Sequence, residues 1–303
     1  MPHPFTTPKA KGLRERVGTF VQTGLHRTVA TNIIFVCGGN DPTHLRPRFI
    51  QYMATEMPLY RPFMPEAAQA DYFEQEHTET LNLSAFEELV SDLSLGIVLF
   101  AESPGSYAET GLFSALDNAR KKTLVVMNAE FQGPGSFLSF GPVAVISSKS
   151  RLGAALQMDY QNPNFLQIKQ RIENRLSVSA TYRAIGEKEF SNLSPTEIMA
   201  LIWFYVDLLR ACSLDDLVFC FNSAFNGHAG SERIRQILSV LVGANLLKRE
   251  GPIGLVRIAD ANIKLTEASQ TRLKQFQGLQ LEITDLIESS CDTNYTEAMS
   301  HAD

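Results

Sequence analysis

Short apolar runs alternate with helical patterns through the first half of the chain. Five runs end at glycine, proline or polar residues, as buried strands do: 32–40, 59–64, 97–101, 123–127 and 142–146. Between them, apolar residues three and four positions apart predict helices, most clearly over 84–95, with a cap at Ser84. This alternation predicts an α/β domain over residues 32–150, with a doubly wound parallel sheet.

The pattern changes in the second half. Ser194-Pro195 is a strong helix start, a helix capped by Ser213 follows, and Ser231 opens a third. Two β-type runs, 246–249 and 255–258, come next. Three helices and a hairpin predict a smaller winged helix-turn-helix domain over 190–276, joined to the first domain by a linker helix within 151–189.

The ends of the chain differ in charge. The net charge is −6, yet residues 1–30 carry five Lys/Arg against one acid, and residues 277–303 carry six acids and no Lys/Arg. Residues 1–31 are therefore expected to form a basic amphipathic arm and 277–303 an acidic tail, which could pair with each other. No signal peptide or membrane-spanning run is recognisable, so a cytoplasmic location without membrane contact is expected.

Several kinds of site are disfavoured. Cys37, Cys212, Cys220 and Cys291 form no Cys-x-x-Cys pair, so free buried thiols are expected, with neither a metal site nor a disulfide framework. The first predicted strand ends at Gly38-Gly39 without a Gly-x-Gly-x-x-Gly or Gly-Lys-Ser/Thr motif. A Rossmann dehydrogenase and a P-loop NTPase are therefore disfavoured.

The stretch 95–113 has the pattern strand, tight turn, helix. In a parallel sheet this turn lies at the carboxyl end of a strand, where ligands bind. Gly105 would allow close approach, Ser106 would cap the helix, and the first-turn N–H groups would face a phosphate or ribose. Glu109, expected in that turn, could act on a sugar carbon, although Ser106 and Glu109 also have the spacing of an ordinary capping box.

The segment 103–113, Ser-Pro-Gly-Ser-Tyr-Ala-Glu-Thr-Gly-Leu-Phe, resembles the Asp-x-Gly-Thr-x-x-Glu-x-Gly-x-Ala signature of nucleoside deoxyribosyltransferases. It is more similar still to effectors of retron anti-phage systems, in which such a domain precedes a winged helix. The resemblance implies that Glu109 is the catalytic residue. Ser103 stands where the transferases carry an Asp that helps to hold the nucleoside, so glycosidic-bond cleavage is expected over base exchange.

The resemblance also implies further substrate-binding residues. With the strand-end pattern, it gives the set Gly38, Gly39, Asn40, Asp71, Tyr72, Ser103, Gly105, Ser106 and Asn128. The expected substrate is NAD or a related nucleotide, and no separate cofactor is expected.

The resemblance to retron effectors implies a cellular role and partners. It implies an antiviral toxin held in check by a reverse transcriptase and its multicopy single-stranded DNA, with this chain oligomeric or filamentous in the complex. Three alternatives stay open: a true deoxyribosyltransferase, a phosphoribohydrolase, and a non-catalytic transcription regulator that senses a nucleotide.

The predicted recognition helix and wing would supply the contacts to nucleic acid or to a protein partner. These residues are Ser231, Arg233, Arg235, Lys248, Arg249 and Arg257. Residues 181–276 hold eleven Lys/Arg against ten acids, so autonomous tight DNA binding is not expected and protein docking is a second interpretation.

Overall fold

The computed structural model of the chain describes residues 2–28, 31–68, 72, 82–131, 136–176, 182–225, 229–251, 254–260, 263–290 and 295. Contacts divide the chain into two compact units. The sheet unit comprises Ala30–Ala67 and His77–Ser179, and the helical unit comprises Met1–Val29, Ala68–Glu76 and Ala180–Asp303.

The described strands, in chain order, are β1 Leu25–Thr28, β2 Ile33–Cys37, β3 Arg61–Phe63, β4 Gly96–Phe100, β5 Thr123–Asn128, β6 Leu156–Met158, β7 Tyr182–Ala184, β8 Leu247–Glu250, β9 Leu255–Ile258 and β10 Thr266–Ala268. The α-helices discussed below are α1 Lys11–Thr23, α2 Leu45–Glu56, α3 Leu83–Leu93, α4 Pro104–Ala115, α5 Asp117–Lys122, α6 Ala144–Lys149, α7 Leu166–Arg175, α8 Pro195–Leu209, α9 Leu214–Ala224, α10 Ser231–Gly243 and α11 Leu273–Ser290.

A five-stranded parallel sheet forms the core of the sheet unit, in the order β3-β2-β4-β5-β6. Every residue of β2 and β4 is buried, which explains their uninterrupted apolar sequences. The α/β prediction is confirmed for this unit. Because all five strands run the same way, the carboxyl ends of β2, β4 and β5 lie at one edge of the sheet.

The prediction of a fifth strand over 142–146 was wrong. Residues Ser139–Val143 form a π-helical turn that leads into α6, and the fifth strand of the sheet is β6. A five-residue apolar run is too short for its period to separate a strand from one buried helical turn. The cap of α3 also differs from the prediction, because Asn82 accepts the hydrogen bond from Ala85 N in place of Ser84.

The helical unit contains the three predicted helices α8, α9 and α10, followed by the antiparallel pair β8–β9. Ser194 and Ser213 cap α8 and α9 as predicted, each within a capping box. This order of elements is the one on which the winged-helix interpretation rests, and that interpretation stays a prediction. A second antiparallel sheet has the order β10-β1-β7.

Both terminal segments pack within the helical unit. Helix α1 buries Val17, Phe20 and Val21 and packs against α9. Helix α11 includes the first part of the predicted acidic tail, and its Glu282 forms an ion pair with Arg16. The two charged ends therefore pair with each other at this position, which was one of the predicted outcomes.

Within the described parts of the chain, no helix is long and apolar enough to span a bilayer.

Candidate active site

The turn after β4 is built by two serines. Ser103 is the N-cap of α4: its Oγ accepts from Ser106 N, while Ser106 Oγ accepts from Ser103 N and from Glu102 N. The helix therefore begins at Pro104, and the prediction that Ser106 is the cap was wrong. Proline at the first helical position favours this earlier start. As a result Glu109 lies in the second turn of α4, outside the predicted capping box.

Glu102, at the end of β4, caps a different helix. Its carboxylate accepts from Leu45 N at 2.7 Å, and from Arg46 N and Gly39 N at 3.1 Å each. Helix α2 has no cap from its own N-cap residue, His44. Glu102 thus satisfies backbone donors at the start of α2 that a helix leaves unpaired, and its negative charge suits the helix dipole. Sequence reasoning missed this role because 57 residues separate Glu102 from Leu45.

Glu109 is a largely buried carboxyl group. Its Oε2 is buried and has no hydrogen-bond partner within the described residues. Burial is the main cause that raises the pKa of Glu109 to about 7; the carboxylates of Glu87 and Glu66 act in the same direction, and Arg46 and a hydrogen bond from the Cys37 thiol oppose the rise. At neutral pH the group is therefore divided between its acid and its carboxylate forms.

Glu87 is a second carboxyl group of this site, and sequence reasoning missed it. Burial raises its pKa to about 7, with a further contribution from Glu66. Glu87 lies on the partly buried side of α3. In the sequence, Glu87 could have been recognised as an acid beside Phe86 on the apolar face of an amphipathic helix.

An ion pair between Arg46 and Glu66 lies among the charged side chains that act on Glu109. Arg46, whose side chain is 5% exposed, contacts Glu66 at 3.0 Å. Because Arg46 is bound to Glu66, it compensates the charge of Glu109 only in part. Burial and the neighbouring acids also raise the pKa of the Cys37 thiol, which therefore stays protonated. We call Cys37, Arg46, Glu66, Glu87 and Glu109 the carboxylate cluster.

The two glycines after β2 lie close to other side chains of the protein, which crowd the space that a Cβ atom would take. Gly38 has φ +156°, and a Cβ there would lie 2.7 Å from Glu102 Oε1 and 2.8 Å from Arg46 Cβ. A Cβ on Gly39 would lie 1.8 Å from His44 Nδ1. Both positions therefore require glycine. Their contact with a substrate, and that of the exposed Asn40, stays a prediction.

The other predicted substrate-binding residues belong to different elements of the chain. Gly105 is exposed at the start of α4, and Asn128 ends β5, where its Oδ1 accepts from Glu130 N. Tyr72 belongs to the helical unit, and its hydroxyl donates to Glu232 Oε1 at 2.5 Å. Contact of Tyr72 with a substrate stays a prediction. Asp71 lies outside the described residues.

The predicted nucleic-acid contacts occupy α10 and the β8–β9 hairpin. Ser231 is exposed at the start of α10, which also carries Arg233 and Arg235. On the hairpin, Lys248 and Arg257 both pair with Glu250, at 3.2 and 2.5 Å. Arg249 Nη1 donates to Gly254 O. Glu250 thus neutralises part of the hairpin's positive charge.

The described cysteines are free and buried, as predicted: Cys37, Cys212 and Cys220. Cys291 lies outside the described residues. Among the described side chains, no group of three or more His, Cys, Asp or Glu residues is arranged to hold a metal ion.

Comparison with known families places the chain among the retron effectors. A family model described as "STM3845 retron effector protein" matches residues 42–249, and the chain belongs to this family. The match includes Glu87, Glu102 and Glu109 and continues through α10 into β8.

Two curated proteins of Escherichia coli are similar over part of their length. The "Retron Ec86 putative ribosyltransferase/DNA-binding protein" is 31% identical over 147 residues, which is 46% of each chain. The "Retron Ec73 putative ribosyltransferase/DNA-binding protein" is 28% identical over 122 residues, which is 39% of each chain. The chain therefore matches less than half the length of these relatives.

Proposed function

We propose that the chain is a toxic effector of a retron defence system that cleaves the N-glycosidic bond of NAD or a related nucleotide, with Glu109 as the catalytic carboxylate. The observation that carries this proposal is the buried Oε2 of Glu109, which has no hydrogen-bond partner among the residues that the structure describes. Family membership and the names of the two relatives support glycosyl transfer as the reaction class.

The chemistry suits a carboxyl group in this setting. When the bond between C1′ and the pyridinium nitrogen breaks, both electrons go to nitrogen, and nicotinamide leaves as a neutral molecule. Ionised Glu109 either forms an ester bond with C1′ or stabilises the oxocarbenium ion. Water then adds its oxygen to C1′ and releases a proton, which yields ADP-ribose; in the ester route the bond between C1′ and Glu109 breaks in this step and its electrons return to the carboxylate.

A nicotinamide leaving group needs no general acid. The ionised fraction of Glu109 is therefore expected to set the rate; burial lowers that fraction most, and the neighbouring Glu87 lowers it further. Purine nucleosides differ, because their leaving base gains from protonation. A protonated Glu87 would be available for that role if the substrate were a purine nucleoside or nucleotide.

The test is nicotinamide release from NAD by the purified chain, for the wild type, Glu109→Gln and Glu88→Gln. Glu88 is an exposed acid beside Glu87 and provides a matched control. We expect release by the wild type and the control, and loss in Glu109→Gln. Equal release by Glu109→Gln would overturn the catalytic role. No release by any protein, alone or with its complex, would overturn NAD as substrate and direct the assay to nucleoside monophosphates.

We propose the same regulation as for related retron effectors: a complex of reverse transcriptase and multicopy single-stranded DNA restrains the activity, and α8–α10 with the β8–β9 hairpin anchor the chain to it. The placement of Ser231, Arg233 and Arg235 on one helix supports this anchor. Binding to the purified complex is to be compared between the wild type and Arg233→Glu/Arg235→Glu. Unchanged binding would exclude α10 from the anchor.

Toxicity gives an independent cellular test. Expression of the wild type without the complex is expected to reduce survival, and Glu109→Ala is expected to restore it. A nucleotide-sensing regulator without chemistry predicts equal survival for both proteins.

A further inference from the structure

The helical unit contains a cavity of about 430 Å³ that is not part of the proposed glycosidase site. Its lining comes from β1, β7, α8, the β8–β9 hairpin, β10 and α11, all of which belong to this unit. The volume is within the range of about 300–1,000 Å³ that is typical of small-molecule sites. The cavity is separate from the carboxylate cluster, which belongs entirely to the sheet unit.

Two cations at this cavity act on one carboxyl group, that of Asp207. Arg210 and Lys264 both line it, and neither makes a hydrogen bond or an ion pair within the described parts of the chain. They act on the buried Asp207, where burial raises the carboxyl pKa and the two cations oppose that rise. Lys248 and Arg257 also line the cavity but share Glu250 as a partner. Glu267 also lines the cavity, so the lining carries four cations and two acids and keeps an excess of positive charge.

The backbone holds Arg210 in an unusual conformation. Arg210 follows the last residue of α8 with φ +66° and ψ −48°. A side chain other than glycine is disfavoured at such a positive φ, and strained positions of this kind are concentrated at functional sites. Glycine would be the ordinary residue at this helix end. The chain instead places a guanidinium group at the cavity.

Aromatic side chains complete the lining. Tyr182, Trp203 and Phe276 contribute to the same wall, and Gln280 donates to Asp207 Oδ2 at 3.5 Å beside it. Aromatic rings stack on nucleobases, and an arginine fork matches the oxygens of a phosphate. A carboxyl group can hydrogen-bond to the edge of a base.

We propose that this cavity binds a nucleotide, with the phosphate at Arg210 and Lys264 and the base against the aromatic wall. The nucleotide is either a free mononucleotide or the phosphorylated end of a nucleic-acid strand, since both present the same group. Binding here is distinct from substrate binding at Glu109 and does not depend on the proposed glycosidase activity.

The experiment is calorimetric titration of the full chain in the Glu109→Gln background, which prevents turnover. The probes are AMP, GMP and an eight-nucleotide single-stranded DNA with either a 5′-phosphate or a 5′-hydroxyl. The variants are Arg210→Gly and Lys264→Glu, with Lys274→Glu as control. Glycine accepts the backbone conformation of residue 210, so Arg210→Gly removes the charge without new strain. Lys274 is exposed on α11 and does not line the cavity.

We expect saturable binding that weakens at least about tenfold in Arg210→Gly and in Lys264→Glu and is unchanged in Lys274→Glu. Without ligand, Arg210→Gly should melt at or above the temperature of the wild type, because glycine accepts the positive φ at residue 210. Binding of a mononucleotide alone assigns a free nucleotide. Binding only of the 5′-phosphorylated strand assigns a strand end. Absence of binding by every probe, or binding insensitive to both cavity variants, would overturn the proposal. Nicotinamide release assayed in the same variants without Glu109→Gln tests the proposed function separately.

Discussion

The Oε2 atom of Glu102 accepts a hydrogen bond from Leu45 N at 2.7 Å. This bond joins the end of the central strand β4 to the first turn of α2. The other carboxylate oxygen accepts from Gly39 N and Arg46 N, so one side chain fixes the loop after β2 as well. Because Arg46 belongs to the carboxylate cluster, the same contact positions a charge that acts on Glu109.

Replacement of this carboxylate is expected to destabilise the sheet unit. Glu102→Gln retains one acceptor oxygen and turns an NH2 group towards backbone donors, so we expect a loss of about 1–3 kcal/mol in the free energy of unfolding. Urea unfolding measures it, with the exposed Glu130→Gln as control. A change no larger than the ~0.5 kcal/mol typical of surface substitutions would refute the capping role.

The stability of the protein is expected to fall as pH rises through the titration of Glu109. Folding raises the pKa of this group from 4.5 to about 7, so the folded state binds more protons than the unfolded state between these values. The stability that this group contributes is therefore fully present below about pH 4.5 and is lost as pH rises to about 7. Glu109→Gln should match the wild type at the acidic end and exceed it at pH ~8 by on the order of 1–3 kcal/mol.

The same measurement tests whether Glu87 and Glu109 interact. Glu87→Gln should give a similar gain at alkaline pH, because its pKa is also raised to about 7. Each single variant also removes the charge repulsion on the remaining carboxyl group. The stability gained by the double variant should therefore be less than the sum of the gains in the two single variants. Strict additivity would mean that the two carboxyl groups are independent.

The pH dependence of nicotinamide release gives a separate test of the site. If ionised Glu109 is the active form, the rate should rise with pH with a midpoint of about 7. Glu87→Gln removes the largest neighbouring charge that raises this pKa, so the midpoint of the variant should move to lower pH. If Glu87 only supported folding, Glu87→Gln would lower the rate without moving the midpoint.

In the helical unit, Asp216 connects both ends of the chain to α9. Its carboxylate accepts from His3 N at 2.9 Å and from the Tyr295 hydroxyl at 3.0 Å, besides capping α9 through Ser213. Asp216→Asn should cost about 2–3 kcal/mol, because buried donors would face an NH2 group. The neighbouring exposed Asp215→Asn is the control. Equal melting temperatures for the two variants would contradict this role.

The sequence alone determined the local elements of the fold. The uninterrupted apolar run in β4 predicts a strand buried on both faces, and Ser194 before Pro195 predicts the start of α8, because these signals act over a few neighbouring residues. The position of Glu109 after the central strand was also predictable. By contrast, the run 142–146 carried no decisive period, and it became helical.

Only the tertiary structure decided which side chains meet. Glu87, Glu66 and Arg46 act on Glu109 from three other segments, and burial of the group sets its pKa more than any single neighbour does. Glu102 caps a helix that begins 57 residues earlier in the chain, and Tyr72 contacts Glu232 in the helical unit. Electrostatic interaction and desolvation depend on distance and solvent access in space, and spacing along the chain does not encode either of them.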